Sequence, residues 1–518
     1  MGKKIMILGL SFLLFLSVQN KALAEKKEER SWKDETIYFI MIDRFHNGDK
    51  KNDFNVDTSD PAAYHGGDFK GITEKLEYLK KLGVTAIWMT PVVKNEERGY
   101  HGYWTEDFYE TEEHFGTKEE LKQLVKEAHD RDIKVILDLV VNHTGYKHSW
   151  QNEPEKKDWF HPQEEISNWD NQQNVENGWL AGLPDLNTEN PETRNYLLEM
   201  AEYWIKETDI DGYRLDTVKH VPKDFWIEFS ERVKGAKSDF YLIGEVWHND
   251  PRYIAEYNKA GIQSFVDYPL FNEMVRIFKQ SGQSLSELHS VWERNNYYYE
   301  DPYTLGNFID NHDNIRFVRE VLLKQEDPEK RLKLALTYLY TAPGIPILYQ
   351  GTEHMMDGAK DPDNRRMMDF SQNKKLETFT AKLGDMRQKH PSLRRGDFSM
   401  IKDDGAKAVF KRTHKDETIY IVYNNDKKDA EITFKDKDLK GHILVDLLNK
   451  EEAKVKGDTM ELQVKGEAAH IFLLQKDSSN PYLYAEIASG VILVILLVVF
   501  LYRKLKRLRF CEFLKNFL

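Results

Sequence analysis

An α/β fold, a (β/α)₈ TIM barrel with a small domain inserted after strand 3, a C-terminal antiparallel β-sandwich and a C-terminal transmembrane helix, is what three observations predict. Between Ile37 and about Lys389, short apolar runs alternate with segments of helical period, as in a barrel of strand–helix units. Beyond His390-Pro391 the apolar period drops to two, the mark of strands with one buried face. Residues 482–502 are almost wholly apolar, and about 20 such residues suffice for a helix that crosses a bilayer. The 518 residues then divide into a signal peptide (1–24), the barrel (25–142 and 190–390) and the inserted domain (143–189). The sandwich (391–476), the span (482–502) and a short basic tail (503–518) follow.

Taken in order, Lys3 and Lys4, an apolar run over 5–18, and Ala22-Leu23-Ala24 have the layout of a secretory signal cleaved after Ala24. The first barrel strand is read at 37–42. A helix carrying Leu76, Leu79 and Leu82 stops at Gly83, and a strand over 84–89 stops at Thr90-Pro91. Thr117 and Glu120 form a capping box ahead of the stripe Leu121, Leu124, Val125 and Ala128. The nearly continuous apolar run 133–141 suits a strand buried on both faces, although it carries Asp138. Residues 143–189 are polar, rich in Trp and Asn, and too long for a simple loop. Trp150, Trp159, Trp169 and Trp179 there are free either to stack on a ligand ring or to pack among themselves. Pro191 opens a helix, and strands follow at 212–215, 241–244, 264–266, 305–309 and 345–349. The sandwich strands are read at 418–423, 431–434, 442–447, 460–464 and 470–474.

At the far end, Arg503, Lys504, Lys506, Arg507 and Arg509 follow the apolar run, as basic residues follow the cytoplasmic end of a span. The expectation is an exported chain with its main body outside the cell, held to the lipid bilayer by its C-terminal helix. Cys511 is the single cysteine and lies beyond that span, so the body contains no disulfide. The net charge is −13 despite the basic tail, which argues against a nucleic-acid partner.

The chemistry concentrates in Asp211-Gly-Tyr-Arg-Leu-Asp-Thr-Val-Lys-His220. Alternate residues of a strand share a face, so Arg214 and Asp216 project together. A guanidinium beside a carboxyl favours its ionised, nucleophilic form, although a purely structural ion pair would look the same. Asp138, Glu245 and Asp313 also stand at strand ends, and residues at the C-terminal strand ends of such a barrel face a shared cleft.

These stretches resemble the α-amylase family of glycoside hydrolases. The resemblance runs through Asp138-Leu-Val-Val-Asn-His143, Leu183-Pro-Asp-Leu-Asn187, Gly212-Tyr-Arg-Leu-Asp-Thr-Val-Lys-His220, Glu245-Val-Trp247 and Phe308-Ile-Asp-Asn-His-Asp313, in family order. It implies Asp216 as nucleophile, Glu245 as general acid/base and Asp313 as the third acid, which stabilises the transition state. Tyr103, His143, Arg214, Lys219, His220, His312, Asp361 and Arg365 would contact or orient the sugar. It also implies Ca²⁺ at one or two sites. Asn142, Asp185 and the His220 carbonyl would make the first; Asn47, Asp49, Asn52, Asp53, Gly66 and Asp68 would make the second. Oxygen donors of this kind suit calcium.

Hydrolysis of internal α-1,4 bonds in starch-like glucans or maltooligosaccharides, with retention, is the activity expected. A cyclomaltodextrinase, a maltogenic amylase or an α-glucan transglycosylase of the same family is the alternative. Lys219-His220 favours the α-amylases over α-glucosidases, and only about a dozen residues separate the signal site from the first strand. An inactive glucan-binding or transporter-associated protein is the alternative of another class, and retention of all three acids speaks against it.

Overall fold

The computed structural model describes residues 28–477 and the backbone of 481–515. Its barrel strands are β1 (Ile37–Ile40), β2 (Ala86–Met89), β3 (Lys134–Leu139) and β4 (Gly212–Leu215), then β5 (Tyr241–Gly244), β6 (Ser264–Phe265), β7 (Gly306–Asn307) and β8 (Ile345–Tyr349). All eight pair in parallel in the order β6-β5-β4-β3-β2-β1-β8-β7, and a bridge between Val266 and Gly306 joins the two ends. Strands buried on both faces explain the runs without alternation: every residue of β1, β2, β4, β5 and β8 is buried. Ile37, Phe39, Ala86, Trp88, Ile136, Tyr241, Ile243, Ile345 and Ile347 belong to one cluster, distinct from the shell that the helices pack against. Strands β6 and β7 are shorter than the sequence suggests, because Val266 leaves β6 for an isolated bridge and Phe308 packs on Phe271 beyond the β7 end.

The first barrel helix, α1 (Phe69–Lys81), is capped by the Asp68 carboxylate, which accepts from the Gly71 N–H. The next, α2 (Lys118–His129), has the expected capping box between Thr117 and Glu120, and its buried residues are the four of the predicted stripe. Between β3 and the helix Pro191–Thr208, the insertion has short helical turns and isolated bridges rather than strands. Trp150 and Trp159 are buried against each other and Tyr196, Trp179 donates to the His161 carbonyl, and Trp169 alone of the four is mostly exposed, at 56%.

After the barrel, a six-stranded sheet contains Asp397–Asp404, Lys407–His414 and Glu417–Asn424, followed in pairing order by Ala468–Lys476, His442–Asp446 and Glu452–Lys454. The ribbon of Ala430–Lys435 with Thr459–Val464 adds Ile432, Phe434, Met460 and Val464 to its core. The sequence reading missed the hairpin Asp397–His414, whose strands carry too many charged residues to show a clean period of two.

One prediction is corrected. Among the described residues no helix is long and apolar enough to cross a membrane. The helix Pro481–Lys515 does cover the expected span 482–502. Of the helix residues with described side chains, Ser489 to Arg507, the last five include four cations, Arg503, Lys504, Lys506 and Arg507. The transmembrane helix, the bilayer as partner, the cytoplasmic tail and the anchored location are therefore withdrawn. The expected signal peptide lies outside the described residues.

Candidate active site

Arg214, at the third position of β4, organises the mouth of the barrel. It is fully buried, and its Nη1 lies 2.9 Å from Asp138 Oδ1 and 2.6 Å from Asp216 Oδ1, while Nη2 lies 2.7 Å from Glu245 Oε1. These acids come from the ends of three adjacent strands, β3, β4 and β5, in the register Asp138↔Arg214↔Ile243. Since one guanidinium holds both, the bound oxygens of Asp216 and Glu245 are within roughly 8 Å of each other, a range that contains the ~5–5.5 Å of a carboxyl pair in a retaining glycosidase. The ion-pair geometry expected from alternation along the strand is thus present, and it extends to two further acids.

Glu245 is fixed from three sides. Its Oε1 also accepts from the Tyr268 hydroxyl at 3.0 Å, and its Oε2 from the Thr217 N–H at 3.2 Å. Thr217 adopts left-handed backbone angles, φ 46° and ψ 41°, which turn the chain out of β4 and aim its N–H at Glu245. Asp138 accepts from the Tyr103 hydroxyl at 2.8 Å and from Trp88 Nε1 at 3.2 Å. It therefore anchors Arg214 and Tyr103 together, a role the sequence did not disclose.

Electrostatics in this cleft are dominated by burial. Desolvation raises the pKa of Asp216, Glu245 and Asp313, and that of Asp138 to about 7, while Arg214 opposes the shift in each case. The Arg214 cation alone lowers Asp216, as the sequence reading anticipates, but burial outweighs it. One positive charge shared among three carboxyls leaves a proton on the cluster well above the ordinary carboxylate range. Arg214 itself stays charged, held by those acids.

The third acid, Asp313, follows β7. Its Oδ1 is 3.3 Å from Arg365 Nη2, and Arg365 Nη1 is 3.1 Å from Asp361 Oδ1. His312 is buried and stacks on Tyr103 with ring centroids 5.2 Å apart. Burial lowers the pKa of His143 to about 4 and that of His220 to about 3, and holds His312 well down as well, so these imidazoles are neutral. His143 Nε2 and His312 Nδ1 are buried atoms without a protein partner, and both residues line the cleft. Lys219 Nζ donates to the Trp247 carbonyl at 3.0 Å and sits 5.2 Å over the Trp169 ring, so it ties the insertion to the β5 loop.

The cleft has a volume of about 650 Å³ and brings together Asp216, Glu245, Asp313, Tyr103, His143, Lys219, His220, His312, Asp361 and Arg365. Arg214 and Asp138 lie beneath it. The sequence did not single out Trp104, Tyr146 and Trp247 as lining residues, because scattered aromatic side chains carry no local signature.

The expected metal ligands fall into two groups. Asp185 and Asn142 are buried where the insertion meets the barrel, across the bridge His143↔Asp185. Asp185 Oδ1 has no protein partner, whereas Oδ2 lies 2.6 Å from His161 Nδ1. The His220 ring donates to the Val175 carbonyl at 3.0 Å, which brings the short helix Gln172–Asn177, with half-buried Glu176, to the same place. In the second group the Asn47 amide donates to both Asp53 oxygens, at 2.8 and 2.9 Å, and the carbonyl oxygens of Asn47 and Asn52 have no partner. A Cβ on Gly66 would lie 2.5 Å from Asn47 Nδ2 and 2.7 Å from Asp53 Oδ1, so this knot requires glycine there. Asp68 is instead committed to the N–H groups of Gly48, Asp49 and Gly71, and Asp49 caps the turn at Lys51. Among the described residues no group of three or more His, Cys, Asp or Glu side chains could hold a metal ion. Carboxamide and carbonyl oxygens supply much of each expected set, and the orphaned oxygens fit a hard cation.

Four carboxyls at the C-terminal mouth of an eight-stranded barrel, three of them on one guanidinium and beside a cleft lined by aromatic rings, define a barrel glycosidase site. The family model "Alpha amylase, catalytic domain" matches residues 39–443. A β/α-amylase of Paenibacillus polymyxa is 41% identical over 412 residues, 76% of this chain, and the chain spans about a third (34%) of that longer relative. A cyclomaltodextrinase of Thermoanaerobacter pseudethanolicus is 36% identical over 450 residues, 82% of this chain and 75% of that protein. The crystal structure of an Anoxybacillus α-amylase superposes with a TM-score of 0.86 at 56% identity, covering 87% of this chain and all of that one. The chain belongs to the α-amylase family and is a glycoside hydrolase, a starch-active glycosidase.

Proposed function

We propose that the protein is an endo-acting α-amylase, which hydrolyses internal α-1,4-glucosidic bonds of starch-like glucans with retention of configuration. The observation that carries this reading is the pair Asp216 and Glu245, held on the two terminal nitrogens of one buried guanidinium. In the first step Asp216 attacks the anomeric carbon. The bond from that carbon to the leaving oxygen breaks, and Glu245 gives that oxygen its proton. In the second step Glu245 takes a proton from water, the water oxygen attacks the same carbon, and the ester to Asp216 breaks. Asp313 supplies negative charge where positive charge develops on the ring, and Arg365 keeps it oriented. The neutral rings of His143 and His312 donate to sugar hydroxyls, and Tyr103 supplies a stacking face.

Endo action rests on the cleft's shape. Tyr146, Trp169 and Trp247 stand along it with 42%, 56% and 47% of their surfaces exposed, giving footing to glucose units on either side of the cleaved bond. Asn142, Asp185 and the His220 carbonyl would hold one Ca²⁺, and Asn47, Asn52 and Asp53 a second; bound calcium would pin the insertion and the 47–66 loop beside the cleft. The cyclomaltodextrinase reading is favoured by the 36% identical relative and differs in product, not in site chemistry.

The test is hydrolysis of starch, maltoheptaose, pullulan and β-cyclodextrin over time by the full chain and by Asp216→Asn. Early products of mixed length from starch, with β-cyclodextrin cut slowly, are expected, together with a loss of 10³-fold or more in Asp216→Asn. Faster turnover of β-cyclodextrin than of starch would transfer the protein to the cyclodextrin-cleaving group. An Asp216→Asn variant as active as the parent would remove the nucleophile.

A further inference from the structure

Arg44 stands outside the ring of carboxyls and has no part in the chemistry above, yet it is fully buried and every side of it is occupied. Nε lies 2.7 Å from Asp43 Oδ2, and Nη2 donates to the carbonyls of Pro61 and Ala63 at 2.9 and 2.6 Å. Nη1 lies against the His65 ring, 3.2 Å from Nδ1, and donates to the Arg365 carbonyl at 3.3 Å. The guanidinium plane covers the Tyr100 ring at 3.9 Å. The Arg44 carbonyl meanwhile accepts the Met368 N–H at 2.8 Å. One residue therefore grips the main chain at both 365 and 368.

What that segment carries is the Arg365 side chain, with Nη2 3.3 Å from Asp313, Nη1 3.1 Å from Asp361, and Nε donating to the His312 carbonyl at 2.9 Å. On its other side, Asp43 accepts the N–H groups of His65 and Gly66 at 2.9 and 3.1 Å, and Gly66 packs on Asn47 and Asp53. We propose that Arg44 is a positioning residue for the third acid: it sets the backbone of Arg365, hence the orientation of Asp313, and connects both to the 47–66 loop. The inference rests on the reading of Asp313 as a transition-state stabiliser. Only a planar fork reaches four acceptors and a ring face together; a lysine keeps the charge and loses the fork. Small misplacement of a stabilising charge costs rate rather than binding.

A double-mutant cycle on maltoheptaose with the full chain, in saturating Ca²⁺, tests it through Arg44→Lys, Asp313→Asn and the pair. Arg44→Lys is expected to lower kcat tenfold or more with KM changed less than threefold, while still unfolding in one cooperative transition. Adding Arg44→Lys to Asp313→Asn is expected to cost no more than a further twofold, since the group being positioned is already gone. Where Arg44→Lys fails to fold, His65→Ala takes its place: it removes only the ring beside Nη1, and the same lack of additivity is expected. Losses that multiply in the cycle, or wild-type kcat in Arg44→Lys, overturn the proposal. Full activity of Asp313→Asn would sink the reading of the third acid and this inference with it; multiplied losses on an impaired Asp313→Asn sink the inference alone.

Discussion

Arg214 shows what a single residue does here: three buried carboxyls share its one charge. Burial raises the pKa of both Asp216 and Glu245, so both limbs of the activity profile move upward from the ordinary carboxylate range. The signs differ in consequence. Activity is lost as pH falls through the Asp216 pKa, because the nucleophile protonates, and as pH rises through the Glu245 pKa, because the acid has lost its proton. Removing the cation in Arg214→Leu is expected to push the acid limb of kcat/KM higher still and to cost at least 10²-fold in rate; an unmoved limb would mean Arg214 does not set the Asp216 ionisation. Asp216 and Glu245 were legible from the sequence because each directly follows a short apolar strand, and Arg214 because it stands two residues before Asp216; Asp313, six residues beyond β7, was legible only through the stretch Phe308-Ile-Asp-Asn-His-Asp313. Tyr268 and the Asp138–Tyr103 link were not, since a hydroxyl meeting a carboxylate across the barrel leaves no local pattern.

At the level of elements, periodicity located β4, β5 and β8 with their observed bounds, because buried strands are continuous apolar runs between polar turns. Strands β6 and β7 are two residues each, too short for a period to show, and the readings 264–266 and 305–309 exceed them by one and three residues. The start of α1 illustrates how closely the elements under the cleft approach. A Cβ on Gly71 would lie 1.8 Å from the His46 carbonyl oxygen, a backbone atom that cannot swing aside. Gly71→Ala is expected to destabilise the protein by roughly 1–3 kcal/mol, read from chemical denaturation. A stability equal to the parent's would show that the 46–48 turn is not pinned on α1. The insertion has the opposite character: with few regular hydrogen bonds, it leans on Asp185, whose pKa burial raises to about 7 and whose Oδ1 has no protein partner. Chelation of calcium is expected to lower the thermal midpoint as well as activity, with both restored by Ca²⁺. An unchanged midpoint would argue against a cation between insertion and barrel.

Over the whole molecule, buried arginines join barrel to sandwich. Arg412 donates to the Thr341 carbonyl at 2.6 Å, at the end of the helix Pro328–Thr341, and Arg331 donates to the Phe278 carbonyl at 2.7 Å and to Asn425. These contacts were invisible in the sequence, since a charged residue in a helix or strand carries no sign of burial; the change of period at His390-Pro391 was not. The C-terminal apolar stretch misled: over the described residues the helix meets Arg503, Lys504, Lys506 and Arg507 before any window is long and apolar enough to cross a membrane. The acids of β4, β5 and the β7 loop converge because the barrel places consecutive strand ends side by side, which is why three distant parts of the chain can act on one sugar. The most direct measurement of that convergence is the anomeric configuration of the first product from maltoheptaose, followed by proton NMR before mutarotation. Double displacement by Asp216 and Glu245 predicts the α-anomer first, and initial release of the β-anomer would contradict it.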